Sequence, residues 1–366
     1  MDENPAYLSR QIITYIGNKR ALLPFIGEGL ERVQSRLAKT RLSIFDVFSG
    51  SGIVSRFFKK YASLLVANDL ELYAQTINLC YLHNKTEEHL ERLKDLHTRL
   101  VRDLDDESLE EGIVSRLYAP RDDTAIQPGE RVFYTSRNAR YIDTVRRRID
   151  GLEEADRPFF LAPLLAEASV HANTSGVFKG FYKNRESGEG RFGGTNANAL
   201  TRILGKIYLP FPVFSSFTCP VQIFRDEARR AAEKAPEVDV AYLDPPYNQH
   251  PYGSNYFMLN LICEYNQPED ISPVSGIPEI WNRSAYNSRG GACAAFENLV
   301  RELKAKFLLI SFNSEGFISR ERMLELLSGL GSVSVLETRY NTFRGSRNLR
   351  NRDIHVKEYL YLVEKK

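Results

Sequence analysis

The sequence predicts an α/β fold: an open, mostly parallel sheet with helices on both faces. Three observations carry this expectation. Apolar, β-branched stretches at Leu64–Asp69, Pro220–Asp226 and Val238–Asp244 each read as a short strand ending on an acid. Amphipathic helical patterns alternate with these strands, the order of a doubly covered sheet. A further strand, Leu42–Phe48, runs into the turn Ser49-Gly50-Ser51-Gly52 and then a helix, which brings a ligand against bare backbone at a helix N-terminus.

Composition sets the outer bounds. At 366 residues the chain is long enough for one large domain or two with real cores. No apolar run approaches the roughly 18 residues of a membrane span. The start, Met1-Asp2-Glu3-Asn4-Pro5, has neither the basic residues nor the apolar stretch of a secretory signal, so a cytoplasmic location is expected. Cys80, Cys219, Cys263 and Cys293 are scattered without a CxxC, which predicts reduced thiols. Cys80 and His83 lack a second ligand pair, so packing rather than metal is expected of them. The formal charge of +2 excludes neither nucleic acid nor small substrates. Its distribution says more: residues 339–357 hold six Lys/Arg against one Asp, while Asp103–Glu111 is acidic.

In chain order, Tyr15-Ile16-Gly17-Asn18-Lys19-Arg20 precedes a helical pattern from Leu22 to about Leu37. Lys19 falls near the helix start, where a merely solvated end fits equally well. A helix from about Ile53 to Lys60 follows the glycine turn. Ser55 stands where the dinucleotide fingerprint has its third glycine, which argues against a hydride-transferring enzyme. Asp69 lies 17 residues after Gly52, at the tip of the second strand, and can accept both hydroxyls of a ribose. Turn and acid together suggest an adenosine-containing cofactor.

Helices are predicted over Leu70–His83 and Glu87–Leu104, with loop over 105–130. A strongly basic helix is expected over Arg131–Ile149 (Arg137, Arg140, Arg146, Arg147, Arg148), and a buried one over Arg157–Ala172. His171–Asn198 interleaves Phe178, Lys179, Phe181, Tyr182, Lys183, Arg185, Arg191 and Phe192 with Gly, Asn and Ser. Such a mixture suits tracking a nucleic-acid backbone, and a mobile lid over a small-molecule site is the other reading. The distance from Asp69 to Asp226 far exceeds the ~30 residues of a βαβ unit, so something is inserted there.

The strand Val238–Leu243 stops at Asp244-Pro245-Pro246-Tyr247. Two prolines present no N–H and hold φ near −65°, so this corner offers acceptors and no donors. An acid, stiff carbonyls and an aromatic face suit an amine on a flat ring, such as adenine. An ordinary surface turn is the alternative. Beyond it come a strand at Phe307–Phe312, a helix near Arg320–Leu327, and strands near Val333–Leu336 and Tyr359–Val363. The last two read as an antiparallel edge across the basic loop Arg339–Arg352. Arg344, Arg347, Arg350 and Arg352, with Asn348 and Asn351, are placed either to grip phosphates or to form a solvated hairpin tip.

Taken together, Phe48-Ser49-Gly50-Ser51-Gly52, Asp69, Asp226 and Asp244-Pro245-Pro246-Tyr247, in this order, resemble the Dam-like (alpha-group) S-adenosylmethionine-dependent DNA adenine-N6 methyltransferases. The segment Tyr15–Arg20 has its counterpart at their N-terminus. The resemblance covers about residues 10–83 and 218–366, and is closest to methylases of type II restriction–modification systems. It implies a Rossmann-like class I methyltransferase sheet with a mainly helical and loop target-recognition insert. The implied division is 1–84 and 218–366 for the catalytic domain, with 85–217 inserted.

The resemblance further implies catalytic roles for Asp244, Pro245, Pro246 and Tyr247. S-adenosylmethionine would be held by Tyr15, Lys19, Asp46, Phe48, Ser49, Gly50, Gly52, Asp69, Asp226 and Asp244. Within that set, Asp69 would take the ribose, Asp226 would lie near the cofactor's adenine and Asp46 near its amino group. Lys19 and Tyr15 would hold its carboxylate and adenosine ends. Tyr15 departs from the tryptophan of many members. Tyr252, Asn255 and Tyr256 are candidate walls of the target pocket, with core packing equally open to Tyr256. Double-stranded DNA is the implied partner, with a separately encoded restriction nuclease. An RNA adenine methyltransferase and an inactive DNA-binding regulator are the alternatives. Cytosine N4 chemistry is disfavoured, because that group usually carries Ser before the prolines.

Overall fold

The computed structural model describes residues 2–10, 12–194, 197, 199–341 and 355–366. Its centre is one seven-stranded sheet in the order β3-β2-β1-β4-β5-β7-β6. The strands are β1 (Leu42–Asp46), β2 (Ala62–Asp69), β3 (Val221–Arg225), β4 (Val238–Leu243), β5 (Ala305–Asn313), β6 (Gly331–Asn341) and β7 (His355–Lys365). β1 to β5 are parallel. β7 lies antiparallel between β5 and β6, so the last two strands pair as expected but the final one is not at the edge.

Every residue of β4 is buried, as an apolar strand with both faces covered requires. Alternate side chains feed two cores. Ile44, Leu65, Val240 and Leu309 pack under helices Leu23–Leu37 and Ile53–Phe58. Phe45, Val66, Ala241 and Leu308 pack under helices Ala228–Lys234, Ala292–Glu302 and Arg320–Ser328. The period-two switch between Ile44 and Phe45 is what lets one strand serve both layers.

A third core unites the inserted helices Glu87–Val101, Ile113–Tyr118, Ser136–Asp150 and Pro158–Val170 with helices Leu72–Tyr81 and Phe257–Glu264. Helix Ile113–Tyr118 falls where loop is expected. Its early N–H groups, at Val114 and Ser115, are accepted by the Asp143 carboxylate, a long-range cap invisible in a six-residue periodicity. The basic helix starts at Ser136 rather than Arg131, because the Thr135 side chain caps it through the Asn138 N–H.

The arginines of that helix are used internally. Arg137 pairs with Asp106 at 2.9 Å, and Arg140 with Glu111 at 2.7 Å. Arg147 reaches Glu110, while buried Arg146 donates to the carbonyls of Ile262 and Cys263. The acidic run and the basic helix therefore neutralise much of each other's charge. In the segment after His171, Phe178 is a core residue packed near Phe133 and Phe257, which removes it as a base contact. Asn173 pins that segment, donating to the carbonyls of Val132 and Arg191 and accepting from Gly193. Lys179, Arg185 and Arg191 stay exposed. Arg344, Arg347, Arg350, Arg352, Asn348 and Asn351 lie outside the described residues. Among the described residues no helix is long and apolar enough to cross a membrane.

Candidate active site

The strand order reverses between β1 and β4, and open α/β sheets bind ligands at the carboxyl ends of strands at such a point. A cleft of about 950 Å³, mouth included, opens there. Tyr15, Lys19, Phe48, Ser49, Gly50, Asp69, Asp226, Asp244, Pro246 and Tyr247 all line it, drawing together residues up to 232 positions apart in the chain. Asp46, Gly52 and Pro245, expected in the same site, do not line the cleft.

The glycine turn is built by its backbone. Gly50 and Gly52 have φ of +52° and +73°, a region that favours glycine. Gly52 N–H bonds the Ser49 carbonyl, and Ser49 N–H bonds the Asn68 carbonyl of β2. A Cβ on Gly50 would lie 2.9 Å from the Tyr15 ring. Gly50→Ala is accordingly expected to cost about 1–3 kcal/mol of stability, as read by thermal melting.

The acids around this turn differ in environment. Asp69 accepts the N–H of Gly50 at 2.8 Å and of Glu71 at 2.9 Å. Burial pushes its carboxyl up, and those two N–H groups hold part of the rise back. Asp69 thus braces the glycine turn while facing the cleft. Asp226 sits at the far end, where the Lys234 ammonium draws its carboxyl below the usual range. Phe48 meets Tyr286 edge to face at 5.1 Å near this end. Asp46 is wholly buried behind the wall, accepting from Ser55 Oγ at 2.5 Å. Burial raises its carboxyl to about 7, with Asp244 and Asp69 adding to the rise and Ser55 opposing it. Ser55, which spoils the dinucleotide fingerprint, is therefore the donor to a buried acid.

At the other end stands an ion triad. Lys19 Nζ lies 3.1 Å from Asp244 Oδ1 and 2.9 Å from Glu358 Oε1. Burial alone would lower the Lys19 ammonium, but Asp244 and Glu358 outweigh it and hold the group charged. Asp244 goes the opposite way: burial lifts its carboxyl to about 7, Lys19 opposes, and Glu358 adds. The two shifts agree once charges are counted, because one ammonium cannot compensate two carboxylates. Lys19, expected near the cofactor's carboxylate, lines the cleft and sits between two carboxylates. The ammonium also lies 5.6 Å from the centroid of Tyr247.

The Lys19 segment is held in place from the far side of Asp244. Ile16 donates its N–H to Tyr256 Oη at 2.7 Å, and its carbonyl accepts from Tyr252 Oη at 3.1 Å. Tyr15 stacks nearly parallel to both rings, at 5.0 and 4.9 Å. Tyr252 lines the cleft; Tyr256 is buried core that bonds the backbone. The Asn255 carbonyl accepts the Phe178 N–H at 2.7 Å, tying the inserted region to the stretch after Asp244-Pro245-Pro246-Tyr247.

A family model for D12 class N6 adenine-specific DNA methyltransferases matches residues 15–323. The chain belongs to that family. The D12 match fixes the reaction as N6-adenine methyl transfer to DNA, so the RNA and inactive-regulator readings have no support. The D12-class chain is 28% identical to the type II methyltransferase M.NlaIII of Neisseria lactamica, over 96% of this chain and 99% of that protein. It is 31% identical to the type II methyltransferase M.CviAII of Paramecium bursaria Chlorella virus 1, over 96% and 98%. The type II methyltransferase M.FokI of Planomicrobium okeanokoites is 25% identical over 96% of this chain, which spans 52% of that protein.

Several residues of this D12-class site escaped the sequence reading. Glu358 looked like the polar start of an apolar strand; its only signal was an acid in a register that β7 buries. Glu71 lines the cleft two residues past Asp69, held by Asn260 at 2.6 Å and Asn282 at 3.0 Å. Burial raises its carboxyl to about 7. Asn282, Ser284, Tyr286 and Asn287 close the cleft from a segment without periodicity.

Proposed function

We propose that the chain moves the methyl group of S-adenosylmethionine to N6 of an adenine flipped out of double-stranded DNA. In the same reading it is the modification enzyme of a type II restriction system, acting in the cytoplasm beside a separately encoded nuclease. The observation that carries the mechanism is Asp244: a half-buried carboxylate at the end of β4, paired with buried Lys19 and in the same cleft as the positive-φ glycine turn. The type II methyltransferases M.NlaIII and M.CviAII, matched over 99% and 98% of their length, support the restriction context.

The chain's residues fit the cofactor. The bare Gly50 backbone faces a ring that a Cβ would crowd, and the cleft is apolar at Phe48 and Tyr286 with acids spaced along it. Ser49 and Gly50 would hold the methionine part, Asp69 with Glu71 the ribose, and the Phe48–Tyr286 end with Asp226 the adenine. When bound, the cofactor supplies an electrophilic methyl on a sulfonium.

Adenine N6 is a poor nucleophile because its lone pair is delocalised into the ring. Asp244 accepts one of its N–H bonds and a backbone carbonyl of the Asp244-Pro245-Pro246 turn the other, favouring a pyramidal nitrogen whose lone pair is free to attack. Tyr247 stacks on the base. These are positioning and electrostatic effects, larger in a water-excluded cleft than outside it. A paired base cannot reach Asp244, so the nucleotide leaves the stack at a cost of a few kcal/mol. The inserted region 85–217, tied to Asn255 through Phe178, is the proposed target reader. Modified-base sequencing of DNA from cells expressing the chain tests this. N6-methyladenine at one sequence motif, lost in Asp244→Ala, is the expected result; its absence from both samples would refute it.

A further inference from the structure

We propose that Glu358 is a positioning residue for the methyl transfer, acting through Lys19. By keeping the ammonium divided between two carboxylates, it leaves Asp244 able to take a proton from the target amine. The inference rests on Asp244 being the group that meets N6.

Glu358 is wholly buried on β7, and its Oε1 lies 2.9 Å from Lys19 Nζ. Ser311 of β5 donates its hydroxyl to the same oxygen. The other oxygen, Oε2, has no hydrogen-bond partner among the described residues. A buried carboxylate with an unmet oxygen is costly, and an apolar side chain of similar size would pack β7 more cheaply. Glu358 reaches the cleft through Lys19. Without it the ammonium would belong to Asp244 alone, and a fully compensated carboxylate is a weak proton acceptor.

The other groups facing this pair do not supply the same effect. Tyr242, Tyr247 and Tyr252 flank Lys19 and Asp244; burial keeps the hydroxyls of Tyr242 and Tyr252 neutral. Asp46, behind the wall, adds to the negative potential but has no bond to Lys19.

The proton balance is simple. As the N6 lone pair forms the bond to the methyl carbon, the carbon–sulfur bond breaks and its electron pair stays on sulfur. The positive charge passes to N6, which loses one proton to the Asp244 carboxylate. The products are a neutral methylated amine and a neutral carboxylic acid, whose proton goes to water as the site opens.

The test is the pH dependence of single-turnover methyl transfer to duplex DNA, measured with wild type, Glu358→Gln, Ser311→Ala and Asp244→Asn. Wild-type transfer rises with pH along a limb near 7. In Glu358→Gln the limb moves down by about one pH unit, because Lys19 now serves Asp244 alone, and the plateau rate falls about tenfold. Ser311→Ala moves the limb upward, since a Glu358 without its hydroxyl donor draws the ammonium harder. A merely structural Glu358 would change the melting temperature and leave the limb where it was. An unmoved limb in folded Glu358→Gln overturns the proposal. Should that variant not fold, an unmoved limb in Ser311→Ala does so. Activity surviving in Asp244→Asn would instead sink the underlying reading of Asp244.

Discussion

Asp244→Asn is expected to cut methyl transfer by about a thousandfold or more while leaving the protein folded. An amide in that position offers one weak acceptor and an NH₂ that opposes the N–H bonds of N6. Stability should hold, because the change removes charge from a triad with a surplus of it. Lys19 keeps Glu358 at 2.9 Å, and the remaining pair is neutral. Single-turnover transfer from labelled donor, with thermal melting alongside, reads both halves. Residual transfer above a tenth of wild type would remove Asp244 from the chemistry.

Lys19→Met should do the reverse to stability. It leaves Asp244 and Glu358 facing each other without a cation in a site where Lys19 is 2% exposed. Breaking a buried pair by removing one partner costs ~3–5 kcal/mol. Asp244, already pushed up by burial and by Glu358, would then favour its protonated form, so its pKa in the folded state lies above that of the unfolded chain. Stability is then fullest at low pH and declines as pH rises toward the folded value, so the deficit grows from pH 6 to pH 8. The double variant Lys19→Met with Glu358→Gln should recover a large part of the loss, since it restores a single carboxylate. Melting temperatures of the four proteins form the cycle that measures this coupling. A deficit unchanged by Glu358→Gln would mean that Lys19 stabilises the fold by packing and not by charge.

The sheet was legible because its signals are local. Strand β4 announces itself by apolar residues and two prolines, and the turn at Gly50 by glycines that alone tolerate its φ. Acids at strand tips, Asp69 and Asp244, gave the site. What stayed hidden depends on contacts distant in sequence. Helix Ile113–Tyr118 owes its start to Asp143. The arginines of helix Ser136–Asp150 read only as a strongly basic helix, because their partners Asp106, Glu110 and Glu111 lie in a separate acidic run. Phe178 looked available for a base and is core. The pairing of Lys19 with Glu358, 339 residues away, lies beyond any pattern of spacing.

The position of β7 has a consequence for how the enzyme comes into being. Lys19 is made before Asp244, and both are made before Glu358. Glu358 belongs to β7, which follows β6 in the chain yet lies between β5 and β6 in the sheet. A chain made only as far as β6 lacks the strand that joins β5 to β6. Lys19 would then have only Asp244 to pair with. On the proposed reading, the divided ammonium beside Asp244 is therefore completed by β7, after every other strand of the sheet is in place.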